Sequence, residues 1–141
     1  MKKTKYILLI AIFIISFLAS AILSFIPAEK ACGGTQTTCY VVQTSEYEKT
    51  LGVNNSYLGL IAFPILLILT FSHIKKPKTY KKQIIFFGIL GGALFAIYFL
   101  YLQFFVIKAL CRYCMVVDIG ALLSLSIISL WKEKKSIQYL N

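Results

Sequence analysis

Apolar residues come in four long runs along this chain, parted by short basic or polar stretches. The runs cover about 6–26, 56–72, 84–107 and 111–131. As helices rising about 1.5 Å per residue, each is long enough to cross roughly 30 Å of hydrocarbon. A lone strand in lipid would leave its backbone polar groups unpaired, so all four are expected to be helical. The pattern predicts an all-α membrane protein, a bundle of four transmembrane helices forming one domain over residues 1–141.

The connections carry further structure. Pro27 closes the first run, and a polar segment, 27–55, follows. It holds Cys32, Gly33-Gly34, Cys39, Ser45 and three glutamates. A connection of this length in a compact protein is usually functional or has structure of its own. Residues 39–51 suit a short amphipathic helix that lays Val42, Tyr47 and Leu51 on the end of the bundle. Gly52-Val53-Asn54-Asn55 then turns the chain into the second run, with Asn55 or Ser56 as N-cap. In the third run Gly88 and Gly92, with Gly91 beside them, make a small-residue face for helix packing. Only 108–110 separate the third and fourth runs, so these form an antiparallel hairpin. Lys2-Lys3 with Ala19-Ser20-Ala21 resembles a cleavable secretory signal. The apolar run continues past that point, however, and a retained span is expected.

Composition agrees with the pattern: 59% of the 141 residues are apolar and the mean hydropathy is +0.79. The net charge of +10 raises nucleic acid as a partner, but its placement argues against it. Lys2, Lys3, Lys5, Lys75, Lys76, Lys78, Lys81, Lys82, Lys132, Lys134 and Lys135 all fall on one side of the four-span topology. Lys30, Lys49, Lys108 and Arg112 fall on the other. The positive-inside rule puts both termini in the cytoplasm of a multi-pass protein of the cell (inner) membrane. The partner of the basic clusters is then anionic lipid of the bilayer, and no nucleic acid is expected.

That topology puts Cys32, Cys39, Cys111 and Cys114, which are all the cysteines of the chain, on the outer face, where disulfides persist. Cys111 and Cys114 open the fourth run. Thiols at a helix start are favoured as thiolates by the unpaired N–H groups there, which suits redox chemistry. Four cysteines allow three connectivities. A four-thiolate zinc site is formally possible, but an oxidising compartment favours disulfides, and no metal is expected. Two inert structural disulfides, in a protein that is no enzyme, remain an alternative. His73 is expected at a helix end near water. Asp118 is the one carboxylate inside a span, one turn deeper than Cys114 on the same face. Intramembrane ionisable residues suggest function by default. Asp118 is either a neutral acid able to donate a proton or a protonated residue bonded to a neighbouring helix.

A loop bearing Cys32 and Cys39, Ser45 six residues on, the run Asn55-Ser56-Tyr57-Leu58-Gly59, and Cys111-x-x-Cys114 at the last helix together resemble the vitamin K epoxide reductase family. The likeness extends over all four spans. It implies an enzyme, a thiol–disulfide:quinone oxidoreductase supporting disulfide bond formation. In the roles implied by the resemblance, Cys32 takes electrons from an extracytoplasmic thioredoxin-fold thiol protein and Cys39 attacks Cys111. Cys114 faces a quinone of the menaquinone, ubiquinone or vitamin K type. Asn55 is similar to the family's carbonyl-binding asparagine, and Ser45 to a residue supporting the site. Asp118 stands where vertebrate members have tyrosine, which leaves the second quinone contact and the preferred quinone open. Many prokaryotic members carry a fused thioredoxin-like domain; this chain ends at Asn141 without one, so a separate partner is expected. A quinone-epoxide reductase running on external thiols is the alternative within the family. The bacterial disulfide-bond protein B family does a similar job but has its two cysteine pairs in the reverse order.

Overall fold

The computed structural model describes residues 2–34, 36–50 and 52–140. Helix α1 (Lys2–Phe25) leads into a loop containing α2 (Ala28–Ala31) and α3 (Thr38–Gln43). A 3-10 turn (Glu46–Glu48) and a two-stranded hairpin, β1 (Lys49–Thr50) and β2 (Val53–Asn54), complete that loop. Then come α4 (Asn55–Lys75), α5 (Thr79–Tyr101) with a π-helical continuation (Leu102–Ile107), and α6 (Arg112–Leu140). Four helical stretches, Thr4–Phe25, Asn55–Lys75, Thr79–Ile107 and Arg112–Leu130, are long and apolar enough to cross a membrane. The expected all-α membrane bundle is thus the fold.

The bundle is held along α1, which packs against both α4 and α6, while α5 lies along α6. Leu9 and Phe13 of α1, Phe63 and Leu66 of α4, and Ile85 and Ile89 of α5 form one buried apolar cluster. Between the helices the buried surface also includes small polar residues. Ser16 and Ser20 of α1, Ser56 and Thr70 of α4, and Ser124 of α6 are all buried. Large apolar side chains such as Ile14, Leu18, Ile61, Ile68 and Phe87 point outward. That distribution suits lipid, where apolar burial gives little drive for helices to associate and close backbone approach does the work. The close approaches are at glycines. A Cβ on Gly59 would sit 2.5 Å from Ser20 Oγ, and one on Gly120 would sit 2.8 Å from Ser16 Oγ.

Several element bounds differ from the sequence reading, each for a local reason. α5 already begins at Thr79, and buried Lys81 in its first turn donates from Nζ to Ser72 Oγ at 2.6 Å, tying that turn to α4. α4 runs on to Lys75, and His73 is buried, with its ring 4.9 Å from that of Tyr6 on α1. His73 is therefore a packing residue and is not at the water. α4 starts at Asn55 with Asn54 as its N-cap, so neither Asn55 nor Ser56 caps it. The small-residue face is split. A Cβ on Gly88 would meet Leu66 at 2.9 Å, whereas Gly91 and Gly92 face open space. Cys111 precedes α6 instead of lying within it.

The expected amphipathic helix of the loop is present but stops at Gln43. Thr37 caps its start by accepting from Tyr40 N at 3.3 Å, and Val42 is buried beneath it. The chain then leaves the helix, and Tyr47 is exposed. Lys49 pairs with Asn54 and Thr50 with Val53 around Gly52, whose φ of 84° suits a residue without Cβ. Leu51 lies outside the described residues.

Candidate functional site

Cys111 is the N-cap of α6. Its carbonyl accepts the first helical bond from Met115 N at 2.9 Å, and its Sγ accepts from Cys114 N at 3.4 Å. The sulfur thus takes the place of the side-chain oxygen that usually caps a helix. Hydrogen bonding with the Cys114 thiol lowers the pKa of Cys111 to about 6, against the opposing effect of burial. The Cys114 backbone N–H and Gln43 contribute in the same direction. Cys111 is completely buried, and Cys114, one turn on, is half-buried.

The loop brings a second sulfur against this cap. Cys32, just after α2, and Cys39, on α3, form a disulfide with a Cα–Cα distance of 5.4 Å. Cys39 Sγ lies 3.6 Å from Cys111 Sγ. Thr38 Oγ1 donates to Leu110 O at 2.9 Å, pinning α3 to the connection before α6. Cys39, Val42, Ala109 and Cys111 pack as one buried cluster, separate from the main core. Among the three connectivities open to four cysteines, this structure pairs the loop cysteines and leaves Cys111 and Cys114 as thiols. Two of the four thiolates of a zinc set are thereby used. Among the described residues no group of three or more His, Cys, Asp and Glu side chains is arranged for a metal.

On its other side Cys114 borders a cavity of about 600 Å³ between the four long helices and the loop. Ligand pockets for small molecules are typically about 300–1,000 Å³, apolar, with a few convergent polar groups. Here the walls are mainly apolar, including Phe13, Phe63, Phe95 and Phe99. Asn55, Ser45, Asp118 and Cys114 all line it, so those four residues singled out from the sequence share one space. Their hydrogen bonds differ. Ser45 Oγ donates back to Val42 O at 2.8 Å and closes the end of α3. Asn55 Nδ2 donates to Tyr47 O at 3.0 Å, joining the start of α4 to the loop. Asp118 is only 3% exposed, and its Oδ2 accepts from Gln103 Nε2 at 3.2 Å. The space, its flat aromatic walls and its few polar groups fit a ring system bearing carbonyl oxygens.

Two glutamines at the site were missed by the sequence reading. Gln43, one turn after Cys39, donates from Nε2 to Cys114 Sγ at 3.1 Å and to Cys111 Sγ at 3.5 Å. Its polar side chain in a polar loop gave no signal. Gln103 lies in the π-helical turn and is also 3% exposed. Its Oε1 accepts from Cys111 N at 3.1 Å, while its own carbonyl accepts from Ala109 N at 3.1 Å. A signal for this one existed: it is the sole amide side chain in the third apolar run. A smaller cavity, about 310 Å³, lies at the lysine-rich end between Tyr6, Lys82 and Phe86, and no cysteine borders it.

No curated protein matches the chain. A family model, that of the Vitamin K epoxide reductase family, matches residues 7–130.

Proposed function

The chain belongs to the vitamin K epoxide reductase family, and with it to the membrane oxidoreductases; we propose that it carries electrons from an external dithiol to a membrane quinone through two cysteine pairs. One observation carries the reading. Cys39 is in sulfur contact with Cys111 at 3.6 Å, while Cys114 opens onto an apolar cavity of about 600 Å³. A loop pair therefore adjoins a helix pair, and the helix pair adjoins a space fit for a quinone.

The route begins with a reduced thioredoxin-fold protein, which attacks Cys32 and leaves the loop pair as a dithiol. Cys39 as thiolate attacks Cys111 of a Cys111–Cys114 disulfide, and Cys114 departs as the thiolate. Gln43, donating to Cys114 Sγ at 3.1 Å, stabilises that departing charge. Cys32 then displaces Cys111 and the loop disulfide re-forms. The covalent state described above, with the loop pair oxidised and the helix pair reduced, is the product of this exchange. In the last step the helix pair closes to a disulfide, and two electrons and two protons convert quinone to hydroquinone. Asn55 would hold one carbonyl, and Asp118 would face the other. The excess of lysines at the far end of the bundle supports a topology with the cysteines outside the cell membrane and both termini in the cytoplasm.

Purified protein, supplied with reduced dithiol and a short-chain naphthoquinone, should reduce the quinone. Cys114→Ala should abolish this, and retention of activity would end the proposal. In Cys32→Ser/Cys114→Ser, Cys39 should be caught in a disulfide with Cys111, identified by mass spectrometry of the peptides.

A further inference from the structure

The Gln103 side chain bridges two elements of the site. A backbone N–H can only donate, so the atom of the amide facing Cys111 N at 3.1 Å must be the oxygen. That sets the amide's orientation and turns its NH₂ group on Asp118 Oδ2 at 3.2 Å. Oδ2 is therefore the accepting oxygen of Asp118. A carboxyl buried this deeply is cheapest to hold as the neutral acid. Its proton then belongs on Oδ1, since Oδ2 faces a donor. Asp118 lines the cavity alongside Cys114. The π-helical turn is what brings Gln103 here, and the same residue's backbone carbonyl receives Ala109 N, fixing the turn to the connection before Cys111.

We propose that Gln103 is a positioning residue: through the hydrogen bond to Oδ2 it presents the protonated Oδ1 of Asp118 to a quinone bound beside Cys114. The inference rests on the thiol–quinone reading and deepens it by naming the proton path. The balance is as follows. Cys111 as thiolate and Cys114 as thiol close to a disulfide and release two electrons and one proton. Asp118 gives the second proton, the quinone becomes hydroquinone, and Asp118 is reprotonated from water. Gln103 also lines the cavity, but its amide is taken up by Cys111 N and Asp118 Oδ2, and its effect on the quinone step runs through Asp118.

The test compares wild type, Gln103→Met, Asp118→Asn and the double variant in lipid nanodiscs. Dithiothreitol serves as donor and a short-chain naphthoquinone as acceptor. Gln103→Met should lower kcat for quinone reduction about a hundredfold while KM moves less than about threefold. Reduction of the cysteine pairs by dithiothreitol without quinone, counted by mass-tagging free thiols, should be unchanged. In the Asp118→Asn background Gln103→Met should cost nothing further. Effects that multiply in the double variant, or equal slowing of pair reduction, would overturn the proposal and leave Gln103 a purely structural role. If Gln103→Met does not fold, Gln103→Asn takes its place, since it withdraws the same amide by one methylene. An activity-independent readout is the infrared carbonyl band lost in Asp118→Asn. It should move to higher frequency when the Gln103 donor is removed, and an unmoved band overturns the proposal. If wild type reduces no quinone, the thiol–quinone reading fails by itself, and the infrared band still decides whether Gln103 holds the Asp118 acid.

Discussion

At the scale of the residue, the sulfur of Cys111 combines two tasks. It caps α6 through Cys114 N, and it lies in contact with Cys39. Capping requires an acceptor, and a thiolate accepts better than a thiol, so the geometry that starts the helix also favours the nucleophilic form. With the helix pair reduced and the loop disulfide intact, the thiolate absorbance lost in Cys111→Ser should titrate with a midpoint of about 6. Below that pH the sulfur is protonated and unreactive; above it the thiolate prevails. A midpoint near the ordinary thiol value of about 8.5 would contradict this. Gln43→Leu removes the side-chain N–H donor given to both sulfurs, so the same midpoint should rise.

The elements meet through small residues more than through large ones. Gly59 lets α4 approach α1 until a Cβ there would collide with Ser20 Oγ at 2.5 Å and touch Phe63 at 3.3 Å. Gly59→Ala should therefore lower unfolding stability in detergent by about 1–3 kcal/mol. Gly91, with nothing within 4 Å of the built Cβ, offers the contrast. Gly91→Ala should be neutral, or gain up to about 1 kcal/mol from helix propensity. Equal losses at the two positions would show that glycine acts through the backbone alone and not through helix approach. The sequence paired Gly88 with Gly92 as one packing face, with Gly91 beside them. Only the facing helix distinguishes them, because Leu66 meets Gly88 while the other two have open space before them.

For the whole molecule, the four spans leave the cysteines clustered at one end and the Lys75–Lys82 connection at the other. The proposed sidedness rests on the charge pattern and can be tested. Cys39→Ser frees Cys32, which is half-buried. A membrane-impermeant maleimide should label it from outside intact cells, whereas Lys76→Cys should react only after permeabilisation. The reverse pattern would invert the proposed topology. The same end-to-end separation keeps the 310 Å³ cavity at the lysine-rich end apart from the sulfur chemistry.

Much of this was legible in one dimension. The lengths of the apolar runs determine four spanning helices, because hydrocarbon thickness sets helix length and leaves the backbone few alternatives. Likewise, the short stretch between Ile107 and Cys111 forces a hairpin, and the cysteine and Asn55 patterns carry the family. Other features depend on atoms far apart in the chain. His73 reads as a polar helix end until Tyr6 is seen to cover it, and Cys111 reads as a helical residue until its N–H is found on Gln103 Oε1. The contacts of Cys39 with Cys111, of Gln43 with both thiols and of Gln103 with Asp118 span separations of 72, 68 to 71, and 15 residues. Apolar length is a local property, and the sequence by itself determined the bundle. Hydrogen-bond partners across helices exist only once the helices are packed, so the tertiary structure alone decided which polar groups meet at the sulfurs.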